Sequence, residues 1–293
     1  MRIVVIIASR GRPADLKLWL EHVARQSLMP NAMIWAVHSD DDLPSGEWRS
    51  RPNSPIVCKS DPGLTKQRNA ALRIVPPETN IVAFFDDDYI PSSYCIEGIV
   101  NVFKLYPLAI GITGVILADG IKTVGIGVGE AMNIIAERDK MGWAKSPRLV
   151  RQEGLYGCNM AYRFHSLARE TFDENLPLYG WQEDVDFANR AARYGIIGAT
   201  DGFGGVHRGS KSGRSSGRRI GYSQISNPIY LWNKRTMSTA LAVRLMFGNI
   251  VANHARMIMP EPWVDRKGRV VGNWIAIVDL ILGRLDPTRV VDL

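Results

Sequence analysis

The chain is short of cysteine, of long apolar runs and of acid. Only Cys58, Cys95 and Cys158 occur in 293 residues, no two form a CxxC pair, and the count is odd. That argues against a disulfide framework or a zinc ribbon and predicts a reducing, cytoplasmic setting. No uninterrupted apolar stretch reaches the ~20 residues that a membrane-crossing helix needs. The apolar run after Arg2 meets Ser9-Arg10-Gly11-Arg12-Pro13 too soon for a secretory signal. Lys and Arg number 36 against 29 Asp and Glu, a net charge of +7. That excess suits partners that carry phosphate (nucleotides, nucleic acid or an anionic membrane surface) without choosing among them.

What is present is an ordinary globular composition, 46% hydrophobic and 22% charged. Short β-branched runs at Ile3 to Ala8, Met33 to Val37, Ile56 to Cys58 and Ile81 to Phe85 read as buried strands. Helical patterns lie between them: Pro13 opens one with Leu16, Trp19, Leu20 and Val23 on a single face, and Gly63 precedes another. This βαβαβ rhythm predicts a parallel sheet flanked by helices. Further strands are expected at Leu108 to Leu117 and Gly157 to Tyr162, and a helix from Asp184 to Tyr194. The stretch Gly125 to Pro147 has no clear pattern. Gly202 to Gly221, rich in Gly, Ser, Arg and Lys, reads as a mobile loop. From Pro228 to about Met259, and again from Trp274 to Leu285, the chain is apolar and helical. The expected division is a catalytic domain over 1–225 and a helical extension over 226–293.

Asp86-Asp87-Asp88 stops a buried strand at its carboxyl end, where open α/β sheets bind ligands. Adjacent carboxylates repel unless a cation neutralises them, and alternate residues of an extended turn point the same way. Asp86 and Asp88 are therefore candidate ligands for Mn²⁺ or Mg²⁺, bridged to a diphosphate. His207, before the glycine- and arginine-rich stretch, is a third candidate ligand. Glu183 and Asp184 open a helix whose dipole favours their ionised forms. They are either caps or a general base. The aromatic approach Tyr179-Gly180-Trp181 suggests a sugar-stacking wall in front of them. Ser9, Arg10 and Arg12 lie at a strand-to-helix turn suited to a nucleotide. Lys66 and Arg68 either contact phosphate or balance the acids, and Lys211, Arg214, Arg218 and Arg219 are placed to close over a diphosphate.

In order, Val5 to Pro13, Gly63 to Leu72, Phe85 to Pro91, Gly157 to Arg163, Glu183 to Gly195 and His207 resemble family 2 of the glycosyltransferases. The resemblance implies a GT-A fold and an inverting single displacement. It implies that a sugar moves from a nucleoside diphosphate to a hydroxyl, as in cell-surface polysaccharide assembly. It gives Asp184 the role of base beside Glu183. Asp88, with Asp86 and His207, holds the metal, and Asp86 lies near the ribose. The donor site would include Ala8, Ser9, Arg10, Arg12, Asp40, Lys66, Arg68 and Asp87, with Asn159 and Trp181 at the sugar. The family's second strand usually ends in an Asp-Asp pair that reads the base. Val37-His38-Ser39-Asp40 stands there instead, a departure that leaves the nucleotide open among UDP, which is taken first, GDP and dTDP.

Two other classes compete: a basic nucleic-acid-binding protein and a phosphoryl- or nucleotidyl-transferring enzyme. The first lacks aromatics interleaved with its basic loop and leaves the acidic triplet without a role, so nucleic acid is not an expected partner. The second lacks a catalytic Asp or a glycine-rich loop after the first strand. The expected acceptor is a saccharide or a lipid-linked saccharide. The basic apolar C-terminal helices then complete the core, form a homodimer contact, or lie peripherally on the inner face of a membrane.

Overall fold

The computed structural model describes residues 1–51, 53–167, 170–212 and 215–293. The elements run β1 (Ile3–Ala8), α1 (Pro13–Ala24), β2 (Ala32–Val37), β3 (Ile56–Lys59), α2 (Leu64–Arg73), β4 (Ile81–Asp86), β5 (Tyr89–Pro91) and α3 (Cys95–Leu105). They continue with β6 (Ala109–Asp119), α4 (Val128–Met141), β7 (Leu149–Arg151), β8 (Asn159–Arg163), α5 (Phe164–Leu167), α6 (Glu183–Ala191) and β9 (Ile196–His207). Three helices close the chain: α7 (Gly217–Asn233), α8 (Thr239–Ala255) and α9 (Arg266–Ile281).

The strands form one sheet in the order β3-β2-β1-β4-β8-β6-β9-β5, with β7 on β9. The first four are parallel, as the βαβ rhythm requires. Beyond β4 the sheet is mixed: β8 runs antiparallel to both β4 and β6, and β6 pairs parallel with β9. Side chains of a strand alternate between faces, and the core divides accordingly. Val5 and Ile7 pack with Leu16 and Trp19 of α1 and Ile99 and Phe103 of α3. Val4, Ile6 and Phe84 pack on the other face with Ala71 of α2 and Phe187 of α6.

Two expectations are corrected, and one open stretch is filled. Residues 202–207 are not loop but the end of β9, with Phe203 and Val206 fully buried. Glycine is needed there for close approach: a Cβ at Gly204 would lie 2.3 Å from the Val115 carbonyl oxygen and one at Gly205 2.2 Å from that of Ile90. A composition that reads as freedom is serving backbone packing. The unassigned stretch holds α4. Pro228 does not open a helix but lies inside α7, so the expected boundary at 225/226 falls within that helix.

Candidate active site

Asp86 sits opposite Ala8 in the β1–β4 ladder, so both strand ends and the turns after them share one edge of the sheet. The pleat then gives adjacent carboxylates different surroundings. Asp87 turns inward. It accepts from Ser9 Oγ at 2.7 Å and from the Arg12 guanidinium at 2.8 Å, and its carbonyl accepts from the Trp19 indole at 3.1 Å. Burial pushes its pKa to about 7 against the pull of Arg12. These bonds tie the β1 and β4 turns together.

Asp86 and Asp88 instead face His207, the last residue of β9. Nε2 of His207 lies 3.4 Å from Asp88 Oδ1 and 3.8 Å from Asp86 Oδ2. Its Nδ1 is 3.0 Å from Asp119 Oδ1, at the end of β6. An ionised carboxylate only accepts, so Nδ1 carries the proton toward Asp119. Tyr156 donates to the other Asp119 oxygen at 2.9 Å. Burial disfavours the imidazolium, but Asp119, Asp88 and Asp86 outweigh it and raise His207 to about 10. Burial likewise works against an ionised Asp88, yet His207, Arg12 and the Ser210 N–H (2.6 Å) hold its pKa below the usual range.

One ligand atom from each of Asp86, Asp88 and His207 lies within 4.8 Å of the others. Two carboxylates and an imidazole, oriented by a carboxylate behind it, form a donor set that fits Mn²⁺ or Mg²⁺. Asp119 and Tyr156 were not singled out in the sequence. The available signal was an Asp-Gly pair closing an apolar strand.

Arg68 links this cluster to the second acid pair. Its buried guanidinium donates to Asp86 at 3.1 Å, to the Gly157 carbonyl at 2.9 Å and to Glu183. Glu183 is thereby committed to an ion pair, although burial pushes its pKa up to about 8. Asp184 is only half-buried. It accepts from the Gly157 N–H at 2.8 Å and the Val185 N–H at 2.9 Å. Burial still raises its pKa, against the pull of those two bonds.

Other expected site residues are bonded elsewhere or face solvent. Asp40 is exposed and paired with Lys59 at 2.6 Å, and Lys66 pairs with Asp61 on the surface. Asn159 is fully buried, bonded to Thr113 and Tyr89. Trp181 is partly buried and its carbonyl accepts from Asn227 at 2.8 Å, while Arg10 is exposed. Of the basic loop, Lys211 donates to the Gly120 and Ile121 carbonyls, and Arg12 to the Ser212 carbonyl. These bonds fold the loop against the site. Arg219 turns to the Val291 carbonyl, Arg218 is exposed on α7, and Arg214 lies outside the described residues. The acidic turn has a local role. Buried Asp42 accepts from Gly11, His38 and Ser39 backbone N–H groups and sets the β1–α1 turn.

No protein-family model matches the chain, and no curated protein matches it in sequence. Solved structures do match in fold. Residues 1–349 of S. aureus TarS in complex with UDP-GlcNAc match 98% of this chain and 84% of theirs, at 15% identity and a TM-score of 0.57. The mannosyltransferase PcManGT from Pyrobaculum calidifontis, in complex with GDP-Man and Mn²⁺, matches 99% of this chain and 85% of its own, at 12% identity and 0.54. Glucosyl-3-phosphoglycerate synthase from Mycobacterium tuberculosis, with Mn²⁺, UDP and phosphoglyceric acid, matches 81% and 80%, at 14% and 0.51. The fold is that of the GT-A glycosyltransferases.

Proposed function

We propose that the protein is a metal-dependent inverting glycosyltransferase of family 2 type, moving a sugar from a nucleoside diphosphate, UDP first, to a hydroxyl of a saccharide or lipid-linked saccharide. The observation that carries this reading is the convergence of Asp86, Asp88 and His207 at the sheet's carboxyl edge, with Arg68 joining them to Glu183 beside Asp184. The fold neighbours that hold nucleotide sugars support it.

In this mechanism Asp86, Asp88 and His207 would hold the cation, which when bound would supply positive charge for the leaving diphosphate. Asp119 keeps the Nδ1 proton of His207 turned away, so that loss of the Nε2 proton would leave Nε2 a lone pair for a cation. Asp184 accepts the acceptor proton as its oxygen attacks the anomeric carbon from the face opposite the diphosphate. A base pKa raised toward neutrality suits that task. Arg68 fixes the spacing between the two acidic groups and, being buried, loses no orientation to solvent. Ser9 and Arg12 position the β1 turn beside the nucleotide, with Ala8 at its strand end.

Calorimetry with UDP and Mn²⁺, followed by chelation, tests the donor half. Binding is expected with the cation and little without it. Asp184→Asn tests the base. It is expected to keep donor affinity and lower turnover by about 10² or more, with the anomeric configuration of wild-type product inverted by NMR. The acidic limb of kcat/KM should lie above the ordinary carboxylate range, because activity falls as Asp184 gains its proton. Unchanged turnover in Asp184→Asn removes Asp184 from the mechanism.

A further inference from the structure

The last two helices are apolar on their outer faces, and their inner faces mix apolar residues such as Ala242 and Ala276 with buried polar ones. Asn253 of α8 and Asn273 and Asp279 of α9 are fully buried. They are satisfied: Asn253 donates to Gln224 at 2.8 Å and to Asn273 at 3.0 Å, Asn273 donates to the Gly221 carbonyl at 2.7 Å, and Arg284 donates to Asp279 at 2.8 Å. The opposite surface carries the hydrophobes. On α8, Val243, Phe247 and Val251 recur every four residues and all are exposed, Phe247 at 68%. On α9, Val271, Trp274, Val278 and Ile281 recur at three- and four-residue spacing, with Trp274 55% and Ile281 77% exposed. The stripes meet at the seam, where the Trp274 indole donates to His254 Nε2 at 3.1 Å, one turn beyond Val251. Single exposed hydrophobes are ordinary on a protein surface, but two adjoining stripes on neighbouring helices are not. Such a face calls for an apolar medium against it.

We propose that the α8–α9 face lies on an anionic lipid surface. Charge selects this occupant over a second copy of the chain. Residues 217–293 hold eleven Lys and Arg against five Asp and Glu, which is +6 of the chain's net +7. Arg244 adjoins Val243 on α8 and Lys267 stands one turn before Val271 on α9. Both are exposed and neither has an acidic partner among the described residues. Two such faces pressed together oppose like charges, whereas anionic headgroups complement them. No helix among the described residues is long and apolar enough to cross a bilayer, so these lie along the surface with apolar side chains at acyl depth and Arg and Lys at the headgroups. Trp274, apolar in its ring and polar at its N–H, suits that boundary. The inference does not depend on the proposed transfer reaction, and UDP binding measured on the same samples reports that reaction separately.

The test is co-sedimentation of the full chain with phosphatidylcholine vesicles, with and without one-third phosphatidylglycerol. Wild-type protein is expected to pellet with the anionic vesicles at low salt, to be released by high salt, and to stay soluble with the neutral ones. Arg244→Glu/Lys267→Glu should weaken partitioning roughly 30-fold or more, since each basic group near such a surface contributes about fivefold. Phe247→Ser/Trp274→Ser should weaken it roughly tenfold or more. Both variants alter exposed positions, and circular dichroism checks that they fold. Wild-type protein left in the supernatant with anionic vesicles at low salt overturns the proposal. So does a stable dimer in sedimentation equilibrium that Phe247→Ser/Trp274→Ser dissociates.

Discussion

His207 is held by a carboxylate on each edge of its ring, and the two carboxylates act differently. Asp88 shares the space in which a cation fits. Asp119 lies behind and takes the Nδ1 proton at 3.0 Å. A partner of that kind orients the ring and raises its basicity as a ligand, and losing it typically costs 10- to 100-fold in affinity. Asp119→Asn is accordingly expected to lower Mn²⁺ affinity, measured calorimetrically with UDP present, by about 10- to 100-fold with the fold retained. Undiminished affinity would return Asp119 to its other role, accepting the Ile121 N–H at 3.0 Å. Residue chemistry was legible in part. The acidic triplet and His207 stand out in sequence, but Asp87 and Asp88 differ only in which way the backbone turns them. Asp42, which nothing in the sequence distinguishes from Asp40 and Asp41, proves to be a turn organiser.

At the scale of elements, α7 and α9 meet backbone to backbone at Gly221 and Gly272. A Cβ at Gly272 would lie 2.0 Å from the Arg218 carbonyl oxygen and 2.7 Å from the Tyr222 nitrogen. A Cβ at Gly221 would lie 2.1 Å from the Arg269 carbonyl oxygen. Backbone cannot yield as a flexible side chain does, so Gly272→Ala forces the helices apart around the buried Gln224, Asn253 and Asn273 network. A loss of about 1–3 kcal/mol in unfolding free energy is expected by urea denaturation, the usual range for overpacking. A variant as stable as wild type would mean that the helices do not cross this closely. Helix periodicity announced apolar C-terminal helices, but periodicity does not say which face turns outward. That was decided by the polar network at the seam with α7.

Global stability carries a pH dependence from a buried histidine outside the proposed ligand set. His22 is buried on α1 beside Trp19. Burial, with Arg25 and Arg208 nearby, lowers its pKa to about 4. Between about pH 4 and the unfolded value near 6.5 the unfolded chain binds this proton and the folded one does not, so stability falls as pH drops through that window. Its full contribution is about 3 kcal/mol. Urea midpoints at pH 7 and pH 4.5 should differ by more in wild type than in His22→Leu. Equal differences would exclude His22 as the source.

By itself the sequence determined the parallel half of the sheet, the helices on its faces and the chemical character of the acidic edge. These are local matters: strand and helix periods, a proline at a helix start, carboxylates ending an apolar run. Tertiary structure decided which charges share a site. Asp86 and Arg68 are 18 residues apart, and Asp119 and His207 are 88 apart. They meet because β6 pairs with β9 and α2 packs beside β1, pairings that no short window encodes. Burial was decided in the same way. It commits Glu183 to Arg68, leaves Asp184 half-open, and closes Asn159 off from solvent, because solvent access depends on every element packed around a residue.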